Sequence, residues 1–282
     1  MSSEPPSAPS LADRTPWWRS RTAIVTGVLL VAAALAVCFL RQGGGSGEVF
    51  LQAASADGQD PFTRSTARST GRYASVMDDA GAAAAAGASR SLPGATPGLY
   101  AGTRNAAGCD VDQQIGYFTE NQGRGRAFAG AAGIDPDAIP AYLHGLTPVH
   151  LRADTRVTDH GYKDGSVTSF QSVLQTGTAV LVDDRGTPRV RCACGNPLGP
   201  PVAVQGTPRA RGGAWDSYDP AKVVVVTPAE SVLDAIVVHD PANGGWFERP
   251  VGSSGDNDSR ATPPKGGLPP GPSHPHAPGR SH

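Results

Sequence analysis

The 282-residue chain carries 24 Lys and Arg against 25 Asp and Glu. It lacks the cationic surplus that phosphate-backbone binding demands, so nucleic acid is excluded as the expected partner. With 36 Gly, 26 Pro and aromatics at 6%, the apolar material suffices for one modest domain with a thin core, not for two.

Residues 1–21 read as a disordered cytoplasmic tail. Thr22 to Leu40, TAIVTGVLLVAAALAVCFL, contains neither charge nor proline, and as a helix it would extend about 28 Å, close to the thickness of a bilayer's hydrocarbon core. Arg14, Arg19 and Arg21 precede it, whereas Arg41 is followed by Glu48, Asp57 and Asp60. This asymmetry places the N-terminus in the cytoplasm and the C-terminus outside the cell, with Trp17 and Trp18 as interfacial anchors. A cleaved signal peptide would use Ala34-Leu35-Ala36, but that site falls inside the apolar run. A lipoprotein anchored through Cys38 would have bulky Val37 where a small residue is normal.

Residues 41–47 form a Gly-rich tether ahead of an extracellular domain at 48–251. Glu48 to Gln52 alternates as a short strand, and residues 53–97 are largely linker-like, with a weak Ala-rich helix over 71–86. Asp110 is an N-cap for Val111, Ile115 and Phe118, and a second short helix carries Phe128 beyond a break at Gly123-Arg124-Gly125. Asp135-Pro136 opens a third helix whose apolar face is Ile139, Tyr142, Leu143 and Leu146, stopped by Pro148.

From Val149 the apolar period becomes two, and VHLRADTRVT reads as a strand, followed by strands over 168–175 and 178–182. Asp183-Asp184-Arg185-Gly186 supplies turn chemistry that pairs 179–182 with 189–194 as a hairpin. Residues 222–227, 232–239 and 246–251 add further strands. Gly-Thr-Pro-Arg occurs at 186–189 and 206–209 as reused turn chemistry, and residues 252–282 read as a disordered Pro/Gly/His tail.

Cys109, Cys192 and Cys194 are the candidate disulfide residues, because an exported domain sits where disulfides persist. A bridge from Cys109 to either member of the pair would close a loop of about 85 residues, worth roughly 4 kcal/mol on the chain-entropy model, and leave one cysteine over. Thiol exchange between Cys192 and Cys194 and a zinc site built from the three cysteines with His160 are the competing readings. His144, His150, His160 and His239 are isolated along the chain and read as structural, and His274, His276 and His282 lie in the tail. Candidate catalytic carboxylates are Asp154, Asp159, Asp164, Asp183 and Asp184, the last two better explained by the turn. Hydrolase, metalloprotease and nucleotide-binding motifs are lacking, and no cofactor or metal is called for.

Three stretches, GLTPVHLRADTRVTDHGY (145–162), FQSVLQTGTAVLVDDRGTPRVRCACGNPL (170–198) and KVVVVTPA (222–229), resemble an uncharacterised actinobacterial domain of unknown function. The similarity spans roughly 48–251, including the 96–100 stretch and the helix after Cys109. It implies a single-pass membrane protein with an extracellular domain and transfers no catalytic or ligand residue. The expected architecture is α+β, short helices packed on an antiparallel sheet, displayed as a binding, sensing or envelope-structural module. Its expected partners are the membrane and an envelope polymer or another envelope protein. The alternative is an envelope hydrolase using the carboxylates of the β region, or thiol exchange at Cys-Ala-Cys.

Overall fold

The computed structural model describes residues 47–68, 90–203 and 208–265, all within the unit that begins at Gly47. The apolar segment at 22–40, the tether before Gly47, the Ala-rich helix expected over 71–86 and the chain beyond Lys265 lie outside the described residues. Among the described residues no helix is long and apolar enough to cross a membrane.

The unit is α+β, with short helices on a large mixed sheet rather than a purely antiparallel one. Its strands are β1 (Glu48–Gln52), β2 (Arg90–Pro93), β3 (Tyr100–Ala101), β4 (Thr147–Leu151), β5 (Thr155–Lys163), β6 (Ser166–Leu174), β7 (Ala179–Val182), β8 (Pro188–Arg191), β9 (Asn196–Gly199), β10 (Arg209–Arg211), β11 (Val224–Thr227), β12 (Ala235–Asp240), β13 (Gly245–Pro250) and β14 (Ser259–Ala261). They run in the order β10-β1-β6-β5-β9-β8-β7-β4-β3-β12-β13-β14, with β11 joining β2 to the start of β5. The hairpins β5–β6, β7–β8 and β12–β13 are antiparallel. Strand β1 runs parallel to both β6 and β10, β11 to β2, and β12 to β3. Parallel partners are distant in sequence, so local alternation carries no record of them.

Strand β7 shows why the sheet has two covered faces. All four of its residues are buried, and because successive side chains point to opposite faces they divide between two cores. Val180 and Val182 join Leu151, Leu174, Val224, Val238 and Phe247 in the main core. Ala179 and Leu181 join Val190, Phe62, Phe118, Phe128, Ile139 and Leu143 under the helices.

The helical layer consists of α1 (Val111–Glu120), α2 (Gln122–Ala132) and α3 (Ile139–His144), the last preceded by a 3-10 turn at Pro136–Ala138. Asp110 caps α1 by accepting from Gln113 N. The break between α1 and α2 falls at Asn121, which ends one helix and caps the next by accepting from Arg124 N. Gly123-Arg124-Gly125 lies inside α2, contrary to the expected break. Gly125 is tolerated there because a Cβ would sit 2.7 Å from Phe118 O, so glycine lets the two helices meet closely. Asp135 makes no side-chain cap.

Pro148 does not stop a helix. It lies in β4, opposite Leu181 of β7, at a point where β3, which reaches only His150 and Leu151, has ended and no N–H is required. The stretch VHLRADTRVT is two strands, β4 and β5, separated by a corner at Arg152–Asp154.

Both segments expected to be unstructured, where described, are folded. After β1, residues 53–68 form a strap across the sheet in which Phe62 and Thr66 are buried. Past Gly252, β14 pairs with β13 and Asp258 is held in a buried ion pair.

Candidate functional site

The strap is fixed by backbone pairing to the turn between β8 and β9. Thr63 N donates to Cys194 O at 2.8 Å, Thr66 N to Cys192 O at 2.9 Å and Asp110 N to Thr66 O at 2.8 Å. Gly195, at φ +67, lies directly beneath it, where a Cβ would come within 2.4 Å of Thr63 Oγ1 and 2.6 Å of Gln114 Nε2. Glycine is therefore required twice over, for the positive φ and for the close crossing.

Side chains from the sheet complete the attachment. Arg191, fully buried, donates to Gln52 Oε1, to Ala53 O at 2.9 Å and to Ala56 O at 2.7 Å. Asn196 accepts from Phe62 N at 3.1 Å and donates to Gln59 O and to Asp159 Oδ1. Phe62 packs edge-on against Phe118 and Phe128.

Cys109 and Cys192 form a disulfide, with Cα atoms 6.0 Å apart at a sequence separation of 83. It ties the start of α1 to the end of β8, beside the strap, and closing a loop of this length contributes roughly 4–5 kcal/mol on the chain-entropy model. Cys194 is the remaining thiol, buried and free. Burial, and then the charge of Asp159, pushes it up to about 12, which removes the thiolate that exchange chemistry needs.

The zinc reading places two of its ligands in the disulfide, and His160 points Nδ1 at Pro197 O, 3.2 Å away. Among the described residues no group of three or more His, Cys, Asp or Glu is arranged to hold a metal. His150 and His239 are buried, and desolvation lowers each to about 4, so both are neutral at physiological pH. His144 lies on the surface 3.5 Å from Asp112.

The carboxylates of the β region are engaged separately. Asp154 accepts from Thr176 N, Thr176 Oγ1 and Trp215 Nε1. Asp183 accepts from Arg185 N and Thr187 N and pairs with Arg189 at 2.7 Å, closing the β7–β8 turn. Asp164, at φ 51, begins the tight turn between β5 and β6 with Gly165 at φ 83. Asp184 contributes its backbone carbonyl to Leu233 N. Asp159 is fully buried, and its Oδ2 has no hydrogen-bond partner among the described residues. Burial pushes it up to about 6 against the opposing pull of Asn196 and Arg191.

The strap and the helices enclose an open groove of about 500 Å³, lined by Pro61, Phe62, Thr63, Arg64, Tyr117, Glu120, Asn121 and Arg124. Its volume lies within the range, roughly 300–1,000 Å³, of ligand-sized pockets. Arg124 lies over the Tyr162 ring, 5.0 Å from its centroid, and donates from Nη1 to Pro61 O and Phe62 O. Arg64 lies over Tyr117 at 5.1 Å. Each guanidinium is thus pre-positioned by cation–π contact, and among the described residues neither is in an ion pair. A second groove, about 520 Å³, opens on the other side of α1 and α2, where Gln122, Arg126, Asp137 and Ile139 contribute.

The groove was not legible in sequence. Arg64 falls in a stretch expected to be linker, Tyr117 on a helix and Tyr162 on a strand, with no local spacing connecting them.

No curated protein and no solved structure matches the chain. The family match begins at residue 90, later than the resemblance from Glu48 suggested, so β1 and the strap lie outside it, as does the segment after Gly252 that carries β14. Residues 90–252, more than half of the chain, match the Domain of unknown function (DUF6777) model, and the chain belongs to that family.

Proposed function

We propose that the chain is a single-pass membrane protein with residues 1–21 in the cytoplasm, a spanning helix at 22–40 and a short tether before a non-enzymatic binding module outside the cell. The apolar run and its arginine asymmetry support the anchor. The Cys109–Cys192 bridge suits the oxidising side of a membrane.

The observation that carries the binding role is a contrast between two sets of polar groups. Asp154 and Asp183 spend their hydrogen bonds on the fold, and Asp159 is sealed from solvent. Arg64, Glu120 and Arg124 line an open groove without an ion-pair partner among the described residues. An open surface of positioned polar groups that are not closed into ion pairs suits recognition of an envelope component.

Protease treatment of intact cells carrying a C-terminal epitope tests the topology: the epitope is removed without lysis if the module is outside and survives if it is inside. Cosedimentation of the detergent-solubilised full-length protein with isolated cell-wall material tests the binding role. Retention in the pellet supports it, and complete recovery in the supernatant overturns it.

A further inference from the structure

We infer that the groove between the strap and the α1–α2 helices binds an anionic, hydroxyl-bearing chain, such as an acidic saccharide or a polyol phosphate, with Arg64 and Arg124 taking the oxyanion. This deepens the binding-module reading and rests on it.

The first argument is what happens to arginines elsewhere in the molecule. Arg68, Arg189, Arg211 and Arg249 each face a carboxylate, buried Arg191 spends Nη1 and Nη2 on Gln52 Oε1 and the carbonyls of Ala53 and Ala56, and Arg185 donates from Nη1 to the carbonyls of Ala229 and Glu230, away from the groove. Arg64 and Arg124 are positioned differently. Both line the same groove, both are stacked on a tyrosine ring, and Arg124 holds the strap with Nη1, so its other donors remain for the groove. A stacked guanidinium has lost part of its rotamer freedom before the ligand arrives, which reduces the ordering cost of binding. Its planar fork suits a carboxylate or phosphate.

The second argument concerns Glu120. An acidic side chain in the same groove repels a bare inorganic anion but accepts hydrogen bonds from hydroxyls. Asn121 has its Oδ1 committed to Arg124 N, leaving its amide N–H₂ to donate. Cationic donors beside hydroxyl acceptors fit a ligand that carries its charge on a polyhydroxylated backbone.

The third is access. The strap covers only one side of the groove, and Arg64, Glu120 and Asn121 are exposed, so a polymer can enter without its ends being enclosed.

The test is calorimetric titration of the detergent-solubilised full-length protein with four probes: an oligo-uronate, an oligo(glycerol phosphate), a neutral oligoglucoside and inorganic phosphate. Binding of either charged oligomer at least tenfold more tightly than the neutral oligomer and inorganic phosphate is the expected result, and which of the two binds separates a carboxylate from a phosphodiester source. Arg64→Gln and Tyr117→Ala are each expected to weaken that binding at least fivefold with the melting temperature of the protein unchanged. Equal binding of the neutral oligomer, equal binding of inorganic phosphate, no binding of either charged oligomer, or indifference to both substitutions overturns the assignment. If Arg64→Gln leaves cosedimentation with cell-wall material intact, the groove is not the site although the module still binds. If the unaltered protein fails to cosediment, the module reading itself falls.

Discussion

Two buried arginines clamp the two ends of the folded unit, and they do it by different means. Arg191 holds the strap after β1 through neutral acceptors, the carbonyls of Ala53 and Ala56 and the amide of Gln52. Arg249 holds the segment before β14 through both oxygens of Asp258, and also donates to Pro148 O, Thr103 O and Ala106 O. Arg249 and Asp258 have completely buried side chains. Both held segments lie outside the family match, yet each is attached from within it. The consequences of failure differ because β1 sits between β6 and β10 with Val49 and Leu51 in a core cluster, whereas among the described residues β14 pairs with β13 alone. Loss of the strap therefore opens the sheet, and loss of the tail frays an edge.

Arg191→Met is the most damaging way to probe this comparison. It leaves the strap carbonyls of Ala53 and Ala56 and the Gln52 amide of β1 without their donor and removes the cation near buried Asp159, a combination expected to cost on the order of 4–5 kcal/mol. Urea unfolding should show a single transition moved to lower denaturant, because strap and sheet fail together.

Asp258→Asn should cost less, about 3 kcal/mol, by leaving the Arg249 charge buried without its counter-ion. Here limited proteolysis should cut between 253 and 265 before global unfolding. Replacing both partners, Arg249→Met with Asp258→Leu, should recover part of the loss, since apolar groups carry no buried charge. A double substitution no better than the single would mean that the carbonyl contacts of Arg249 outweigh its ion pair.

Asp159 sharpens the strap side. Its folded pKa is raised, so the protonated form is favoured by folding, and that stability is present below the unfolded value and lost as pH rises through about 6. His150 and His239 are lowered to about 4, so their contribution has the opposite sign: it is present above the unfolded histidine range and lost as pH falls through about 4. Two histidines against one aspartate leave a net rise in stability from pH 4 to about 6.5. Asp159→Asn should make that rise steeper and should stabilise the protein at pH 7.5 by roughly 2 kcal/mol, with no gain at pH 4. Thermal unfolding across this range measures both.

Cys194→Ala should have the smallest effect, about 1 kcal/mol, as a small buried side chain lost near Arg191. In the folded protein the thiol should resist alkylation, and rapid labelling would show that the strap opens readily.

The difference between the clamps also explains what the sequence could convey. Asp110 before the helix, the Asp183–Gly186 turn and the alternation of the hairpins are local devices, and each leaves a local pattern. The strap leaves none, because its sole large apolar residue over 53–68 is Phe62 and its anchors, Cys192, Cys194, Arg191 and Asn196, lie far along the chain. Backbone carbonyls accept from any residue type, so a segment held by them can have the composition of a linker. The tail failed differently: Asp258 looks like any solvated acid until Arg249, nine residues earlier, turns inward. The groove depends on the strap and was hidden with it.

Hydrogen exchange of the full-length protein, followed by mass spectrometry, tests most directly whether these flanking segments belong to the folded unit. The strap amides of Phe62, Thr63 and Thr66 should be protected to the same opening free energy as the β5–β6 hairpin, with residues 259–261 protected less and losing protection selectively in Asp258→Asn. Exchange of the strap at the rate of an unstructured peptide, while β5 and β6 stay protected, would contradict the account and leave the groove without its wall.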